Sequence, residues 1–291
     1  MKGLKLSDTS IAYDIVIIGA GANGSHFFRS LLQDLSGFEE SVTVKITIAD
    51  ADKVEGKNLK NQLFDKEDIG EFKVEALVDR YSMHYGCFVQ SVTSYITDIS
   101  MLRSLFSLTQ KDVRDGVVIM PVLIGCVDNN ATRQLMHRFF YEEENIIYVD
   151  LGVEGVTLPN PNLTPSERAI EKGIIDATGF TGQVVTGYKR DGEIFLPPVG
   201  DVYRNILMEQ DRFPGQSCGA AIVNNPQRCA TNKLAAQLAN GVIVGLFHTK
   251  SLYTHVIDFN AQYSGSKPHF IPEPVFKKHF ELLKDKRIQN K

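Results

Sequence analysis

Apolar positions in this chain follow two alternating patterns: short unbroken runs, and longer stretches in which they recur every three or four residues. Asp14-Ile15-Val16-Ile17-Ile18 is of the first kind and predicts a parallel strand buried on both faces. A glycine-rich loop ends it, and Ser25 to Leu35 then has helical spacing. Val42 to Ala49 predicts the next strand. Lys73 to Tyr85 predicts a helix with Val74, Leu77 and Val78 on one side, and Cys87 to Ile96 a strand. Ser100 to Leu108 predicts a short helix, Gly116 to Gly125 a central strand, Ala131 to Glu143 a helix and Asn145 to Leu151 another buried strand. The alternation β-α-β-α-β-α-β predicts an α/β fold with a right-handed, doubly wound, mostly parallel sheet of the Rossmann-like kind.

After Gly152 the alternation breaks down. Leu158-Pro159-Asn160-Pro161-Asn162 is turn-rich, and regular periodicity returns only near residue 230. Gly182 to Lys189 and Glu193 to Leu196 flank Arg190-Asp191-Gly192, which predicts a hairpin turning at Asp191-Gly192 and an antiparallel extension in the C-terminal half. Asn225-Pro226 offers an N-cap and a first-turn proline for a helix running to about Phe247. Leu252 to Asn260 predicts a last strand, and the basic tail after Lys277 a solvated helix or frayed end. The chain thus divides into a nucleotide-binding half (1–155), an irregular segment (156–229) and a C-terminal helix, strand and tail (230–291), expected to form one domain.

Composition narrows the function classes. A chain of 291 residues is long enough for a full core, and a net charge of −4 with no long basic block argues against nucleic acid as a partner. No stretch approaches the roughly 20 apolar residues of a membrane span, and Met1-Lys2-Gly3-Leu4-Lys5 lacks the apolar core of a secretion signal. A cytoplasmic protein is expected. Cys87, Cys126, Cys218 and Cys229 show no close pairing and predict reduced thiols; without C-x-x-C pairs or clustered histidines, no zinc site is expected.

The chemistry concentrates in the loop Gly19-Ala20-Gly21-Ala22-Asn23-Gly24 and in the run that follows it at dinucleotide-fold spacing. Glycines there let backbone approach phosphate, and the amides of the following helix hold negative charge. NAD binding needs one acidic residue about 20 positions on. Here Asp50 and Asp52 stand together, followed by Asn58, Gln62 and Lys73. A second carboxylate, amides and a lysine suit ATP better: ribose recognition, a metal-compatible acid and a cation for the phosphates.

Four ordered motifs resemble the ThiF/MoeB/HesA adenylyltransferase superfamily, which includes the ubiquitin-activating enzymes. They are the loop Gly19 to Gly24, D-x-D-x-V-x-x-N-L-x-x-Q at Asp50 to Gln62, I-G-x-x-K at Ile69 to Lys73, and Cys126-Val127-Asp128-Asn129 with Arg133. Together they cover about the first 155 residues. The resemblance implies activation by ATP of the C-terminal carboxylate of a ubiquitin-like or sulfur-carrier protein, or of a peptide, giving an acyl-adenylate and pyrophosphate in a homodimer.

On this reading Gly19, Gly21, Asn23 and Gly24, with Ser25, hold the phosphates. Asp50 accepts two hydrogen bonds from the ribose diol, and Asp52 faces the phosphates or magnesium. Asn58 and Gln62 contact phosphate or base. By resemblance Lys73 stabilises charge developing on the leaving pyrophosphate, and Asp128 coordinates magnesium, with Asp52 nearby. Arg133 orients Asp128 or the acyl substrate. A thioester step would fall to Cys218, near the position of the family's crossover-loop cysteine, ahead of Cys229; Cys87 and Cys126 read as core residues.

Two departures keep alternatives open. The family pattern N-L-x-R-Q is here Asn58-Leu59-Lys60-Asn61-Gln62, with Asn61 in place of the arginine and Lys60 able to stand in only as a point charge, and the N-terminal R-Y-x-R-Q segment of many relatives is absent from Met1 to Tyr13. A catalytically degenerate subunit that scaffolds an active partner is therefore the alternative reading. An NAD-dependent oxidoreductase rests on the glycine loop alone.

Overall fold

A nine-stranded sheet organises the computed structural model, which describes residues 2–38, 42–160, 162–213 and 226–289. A two-residue strand, β1 (Leu4–Lys5), leads into β2 (Ile11–Ile18), all of whose residues are buried. Then come α1 (Ala22–Ser36), β3 (Thr43–Ala49), α2 (Lys73–Tyr85), β4 (Val89–Val92), α3 (Ile99–Leu105), β5 (Val118–Gly125), α4 (Asn130–Glu142) and β6 (Ile146–Val153). Strands β4, β3, β2, β5 and β6 lie side by side in that order, all parallel. The chain builds outward from β2 on one side and then restarts beside it with β5. That reversal opens a crevice outside the carboxyl ends of β2 and β5, where open α/β sheets bind ligands. Residues just beyond Ile18, Ala49 and Gly125 therefore share one edge.

Burial on both faces explains the unbroken apolar runs. Tyr13, Ile15 and Ile17 pack with Phe27, Phe28 and Leu31 of α1, while Val16 and Ile18 point the other way, into a cluster with Leu102 of α3 and Leu135, Met136, Phe139 and Phe140 of α4. Each such side chain contributes on the order of 1.5–3 kcal/mol by leaving water.

The second half continues with α5 (Pro165–Ala177), β7 (Thr181–Arg190), β8 (Glu193–Leu196), α6 (Val199–Val202), α7 (Asn205–Met208), α8 (Cys229–Thr249), β9 (Ser251–Leu252), β10 (Thr254–Asn260), β11 (Gly265–Phe270) and α9 (Glu273–Gln289). β7 pairs antiparallel with β6, β10 with β7, and β11 with β10, so the extension joins the main sheet. The hairpin turn falls at Asp191 and Gly192, both at positive φ (52° and 77°), as a two-residue primed turn requires. Among the described residues no helix is long and apolar enough to cross a membrane.

Four elements differ from the sequence-based expectation. The segment after Gly152 contains α5, whose start is written in local signals: Thr164 and Glu167 form a capping box and Pro165 opens the first turn. Its apolar residues Ile170 and Ile174 are exposed, so they gave no core-facing stripe to read. Helix α8 begins at Cys229 rather than Pro226, because the Pro226 carbonyl accepts a hydrogen bond from Val156 N (2.7 Å) and is held to the chain leaving β6. Asn225 lies outside the described residues. The strand expected over 87–96 is confined to β4. Finally, β10 is not the last strand: β11 follows it, exposed along its length and carrying Pro268, which an edge strand tolerates.

Candidate functional site

The glycine loop is shaped by two close approaches. Gly19 has φ +99° and a Cβ there would lie 2.7 Å from the Cys126 carbonyl oxygen; a Cβ on Gly24 would collide with the Gly19 carbonyl. Both glycines are therefore required by the fold. Gly21 differs, with nothing within 4 Å of a Cβ built on it. It is the N-cap residue of α1, which has no side-chain cap and no acidic residue in its first turn. The helix thus presents backbone amides without a protein anion, the arrangement that binds phosphate.

Asp50, leaving β3, accepts hydrogen bonds from Ala20 N (2.7 Å) and Asp52 N (2.8 Å), which fixes the glycine loop to the next strand. Burial raises its carboxyl above the ordinary value and the neighbouring Asp52 adds to this; Lys73 and the two amides act in the opposite sense. Asp52 receives Lys73 Nζ on Oδ2 (2.8 Å) and the Tyr95 hydroxyl on Oδ1 (2.6 Å). Its own burial would raise it, but the Lys73 ammonium and the hydrogen bonds from Lys73 and Tyr95 together hold it below the usual carboxylate value. Lys73 sits at the first position of α2 with its side chain 7% exposed, and its backbone N–H bonds to Asp52 O (2.9 Å). The sequence reading missed Tyr95, which no motif contains.

The segment carrying Asn58 to Gln62 is fastened to the first turn of α1. His26 Nε2 lies 3.2 Å from Asn61 O, and Ser25 Oγ accepts from Leu63 N (3.3 Å). Ser25 is fully buried and committed to this contact. Asn58 Oδ1 accepts from Glu55 N (2.7 Å), shaping the turn, while Gln62 Oε1 is buried with no hydrogen-bond partner. Asn23 is also turned inward: Nδ2 donates to Leu151 O (3.4 Å) and Oδ1 accepts from Asn232 Nδ2 of α8 (2.7 Å).

Asp128 follows β5 and is exposed. Arg133 reaches back from α4 beneath it, donating to Val127 O (2.7 Å) and Leu151 O (3.3 Å) and pairing through Nε with both oxygens of Asp150 (3.3 Å each). Its side chain is 13% exposed and that of Asp150 1%. The sequence reading also missed a pair of acids from the chain after α7. Asp211 Oδ2 accepts from Asn130 N (2.6 Å) and Glu209 accepts from the Asn130 side chain, at the N-terminus of α4.

The cysteines separate by environment. Cys126 is buried under the glycine loop and its thiol is pushed far up by burial, with Asp150 adding to the effect. Cys87 is half-buried, Cys229 stands at the first position of α8, and Cys218 lies outside the described residues. Among the described residues, no group of three or more His, Cys, Asp or Glu is arranged to hold a metal. The carboxylates nearest the crevice are the half-buried Asp50, the Lys73-paired Asp52 and the exposed Asp128.

The ThiF family model matches residues 5–272. The crystal structure of selenomethionine PaaA superposes with a TM-score of 0.53 at 15% identity, over 89% of this chain and 64% of PaaA. E. coli MccB solved with AMPCPP and MccA gives 0.53 and 15%, over 89% and 63%; MccB with ATP gives 0.53 and 14% over the same shares. The chain spans less than two thirds of the length of these solved proteins, and at such identities the likeness is one of fold. No curated protein matches the chain.

Proposed function

Because the chain belongs to the ThiF family, we propose that it adenylates a carboxylate with ATP, the acyl group coming from the C-terminus of a ubiquitin-like or sulfur-carrier protein or of a peptide. The observation that carries this reading is the convergence at one crevice of the uncapped α1 N-terminus at Gly21, the Lys73–Asp52 pair and Asp128. That combination suits a polyphosphate with a departing pyrophosphate better than a dinucleotide cofactor. The neighbouring MccB was solved with ATP, and with AMPCPP and MccA, which supports both a nucleotide and a second molecule as ligands.

The residues fit ATP by their chemistry. The α1 amides and Gly21 take phosphate oxygens. Asp50 faces the ribose diol with the lone pairs left by Ala20 N and Asp52 N. The orphaned Gln62 Oε1 offers an acceptor, with Asn58 shaping its segment and Gly19, Asn23 and Gly24 fixing the loop. Lys73 stabilises charge on the leaving group. Magnesium, when bound, draws charge from the phosphate oxygens; Asp128, with Asp52, would hold it, two carboxylates being an ordinary protein share for this ion. A carboxylate oxygen of the acyl substrate bonds to the α-phosphorus, the bond from that phosphorus to the bridging oxygen breaks, and pyrophosphate leaves with the electron pair. Transfer to a thiol would then fall to Cys218, and a homodimer is the expected assembly.

Exchange of labelled pyrophosphate into ATP tests the reading, with magnesium and candidate carriers or peptides ending in a free carboxylate. Exchange that depends on the acyl substrate and is lost in Asp128→Ala supports it. Absence of exchange together with tight ATP binding supports instead the scaffold reading, which Asn61 favours by bringing no cation where the family pattern has arginine.

A further inference from the structure

Asp128 lies on the short connection from β5 to α4, whose far end is held by the Asn129 cap and by Asn130 on Asp211 and Glu209. Its near end is held by a buried chain of contacts from β6. Tyr148 OH donates to Asp150 Oδ2 (3.0 Å), Asp150 pairs with Arg133 Nε, and Arg133 Nη2 donates to Val127 O, the carbonyl immediately before Asp128. Tyr148 is fully buried and Asp150 is 1% exposed. The last residue of β5 is cut to fit the carboxylate: a Cβ on Gly125 would lie 2.8 Å from Asp150 Oδ2 and 3.2 Å from the Tyr148 ring.

Resting on the adenylation reading, we propose that Asp150 and Tyr148 are positioning residues that act through Arg133 to aim Asp128 at the phosphate-bound metal. This role is favoured over direct contact with the acyl substrate, since the Arg133 guanidinium is engaged by Asp150, by the carbonyls of Val127 and Leu151 and, at 3.5 Å, by Asn130 Oδ1. A charge pair this deep gains little net stability over a well-packed apolar pair of the same volume, while removing one partner leaves a buried charge. Its geometric product is the fixed Val127 carbonyl, three residues before the start of α4. Burial raises the Asp150 carboxyl, and Arg133 with the Tyr148 hydroxyl opposes that rise, so the carboxylate depends on both neighbours.

The test is a double-mutant cycle read by calorimetry of ATP binding with and without magnesium. Asp150→Asn is expected to weaken magnesium-dependent ATP binding about tenfold in the otherwise unaltered chain, the scale of a small misplacement of a binding group. In the Asp128→Ala background the same change is expected to alter binding by less than about twofold, because the group being aimed is gone. Tyr148→Phe, which removes one hydroxyl, repeats the cycle with a smaller loss should Asp150→Asn not fold. Equal losses in both backgrounds would overturn the proposal and leave the pair a purely structural one. A wild-type chain that binds no ATP with magnesium removes the adenylation reading itself, a result distinct from wild-type binding with additive variants.

Discussion

Lys73 Nζ lies 2.8 Å from Asp52 Oδ2, and the two side chains are unequally exposed: 7% for the lysine, 46% for the aspartate. The ammonium is thus held under the crevice floor while its partner stands at the surface of it. On the proposed reading an incoming phosphate would meet a cation already oriented, at a helix start where the dipole alone does not favour a positive charge.

Lys73→Ala is expected to lower pyrophosphate exchange by roughly 10²–10³, the usual cost of removing one preorganised group that meets developing charge. Lys73→Arg should recover little, since a guanidinium is larger and planar where the pocket admits a compact point charge. The pH dependence has a definite sign. Asp52 is held below its unfolded value, so the stability it contributes is complete above that value and lost as the pH falls through the lower folded one. Acid unfolding of Lys73→Met should lose the share of this component that Lys73 supplies, Tyr95 keeping the rest, as measured by circular dichroism across the acid range.

Two of the loop glycines, Gly24 and Gly21, are predicted to behave differently. Gly24→Ala, where a Cβ meets the Gly19 carbonyl, is expected to cost about 1–3 kcal/mol of stability in urea unfolding. Gly21→Ala meets nothing and has a φ of −74°, so stability should hold while ATP affinity falls by tenfold or more, equivalent to about one charge-assisted hydrogen bond of ~1.5–3 kcal/mol. Equal ATP affinity in wild type and Gly21→Ala would remove this loop from the nucleotide site.

His279 of α9 is buried against the Tyr188 hydroxyl (Nε2 to OH 3.0 Å) and between aromatic rings. Burial lowers it from 6.5 to about 4, Arg190 adding to the fall and Asp191 opposing it. Between those values the unfolded chain binds the proton that the folded chain refuses, so stability is full above pH 6.5 and declines toward pH 4. His279→Gln should flatten that decline, by up to about 3 kcal/mol, and urea midpoints at pH 7.5 and pH 4.5 for the two proteins measure it.

The parallel half of the fold was legible in the sequence because its strands are buried on both faces and each is followed by the turn chemistry that ends it. α2 was bounded to the residue, from Lys73 to Tyr85. The antiparallel half was legible at the Asp191-Gly192 hairpin, where the turn demands its own residue types and β8 spans Glu193–Leu196 as expected, and in β10, which ends at Asn260. α5 and β11 escaped because neither presents a buried stripe: Ile170 and Ile174 face solvent, and β11 is exposed throughout. At the site, the motifs bring Asp50, Asp52, Lys73 and Asp128 to one sheet edge, whereas Tyr95, Asp150 and Asp211 stand in no motif. Each reaches its partner over a sequence separation of 43, 17 or 81 residues, a distance that local pattern does not encode.

Asp211 illustrates what such a separation accomplishes. Helix α4 has no acidic residue in its first turn, and its N-cap Asn129 satisfies only Thr132 N. Asp211 supplies the missing charge from the chain after α7, accepting from Asn130 N, while Gln134 Nε2 ties the same stretch down through Ile206 O and Glu209 O (2.8 Å each). Asp211→Ala should therefore cost about 1 kcal/mol, the value of a helix cap, and Asp211→Asn should recover the hydrogen bond but not the charge. Because the contact is solvent-exposed, raising the salt concentration should narrow the gap between wild type and Asp211→Asn and leave that between Asp211→Asn and Asp211→Ala unchanged. Thermal unfolding of the three proteins at low and high salt separates the two contributions; a gap to Asp211→Asn that ignores salt would mean that the charge contributes nothing at this helix end.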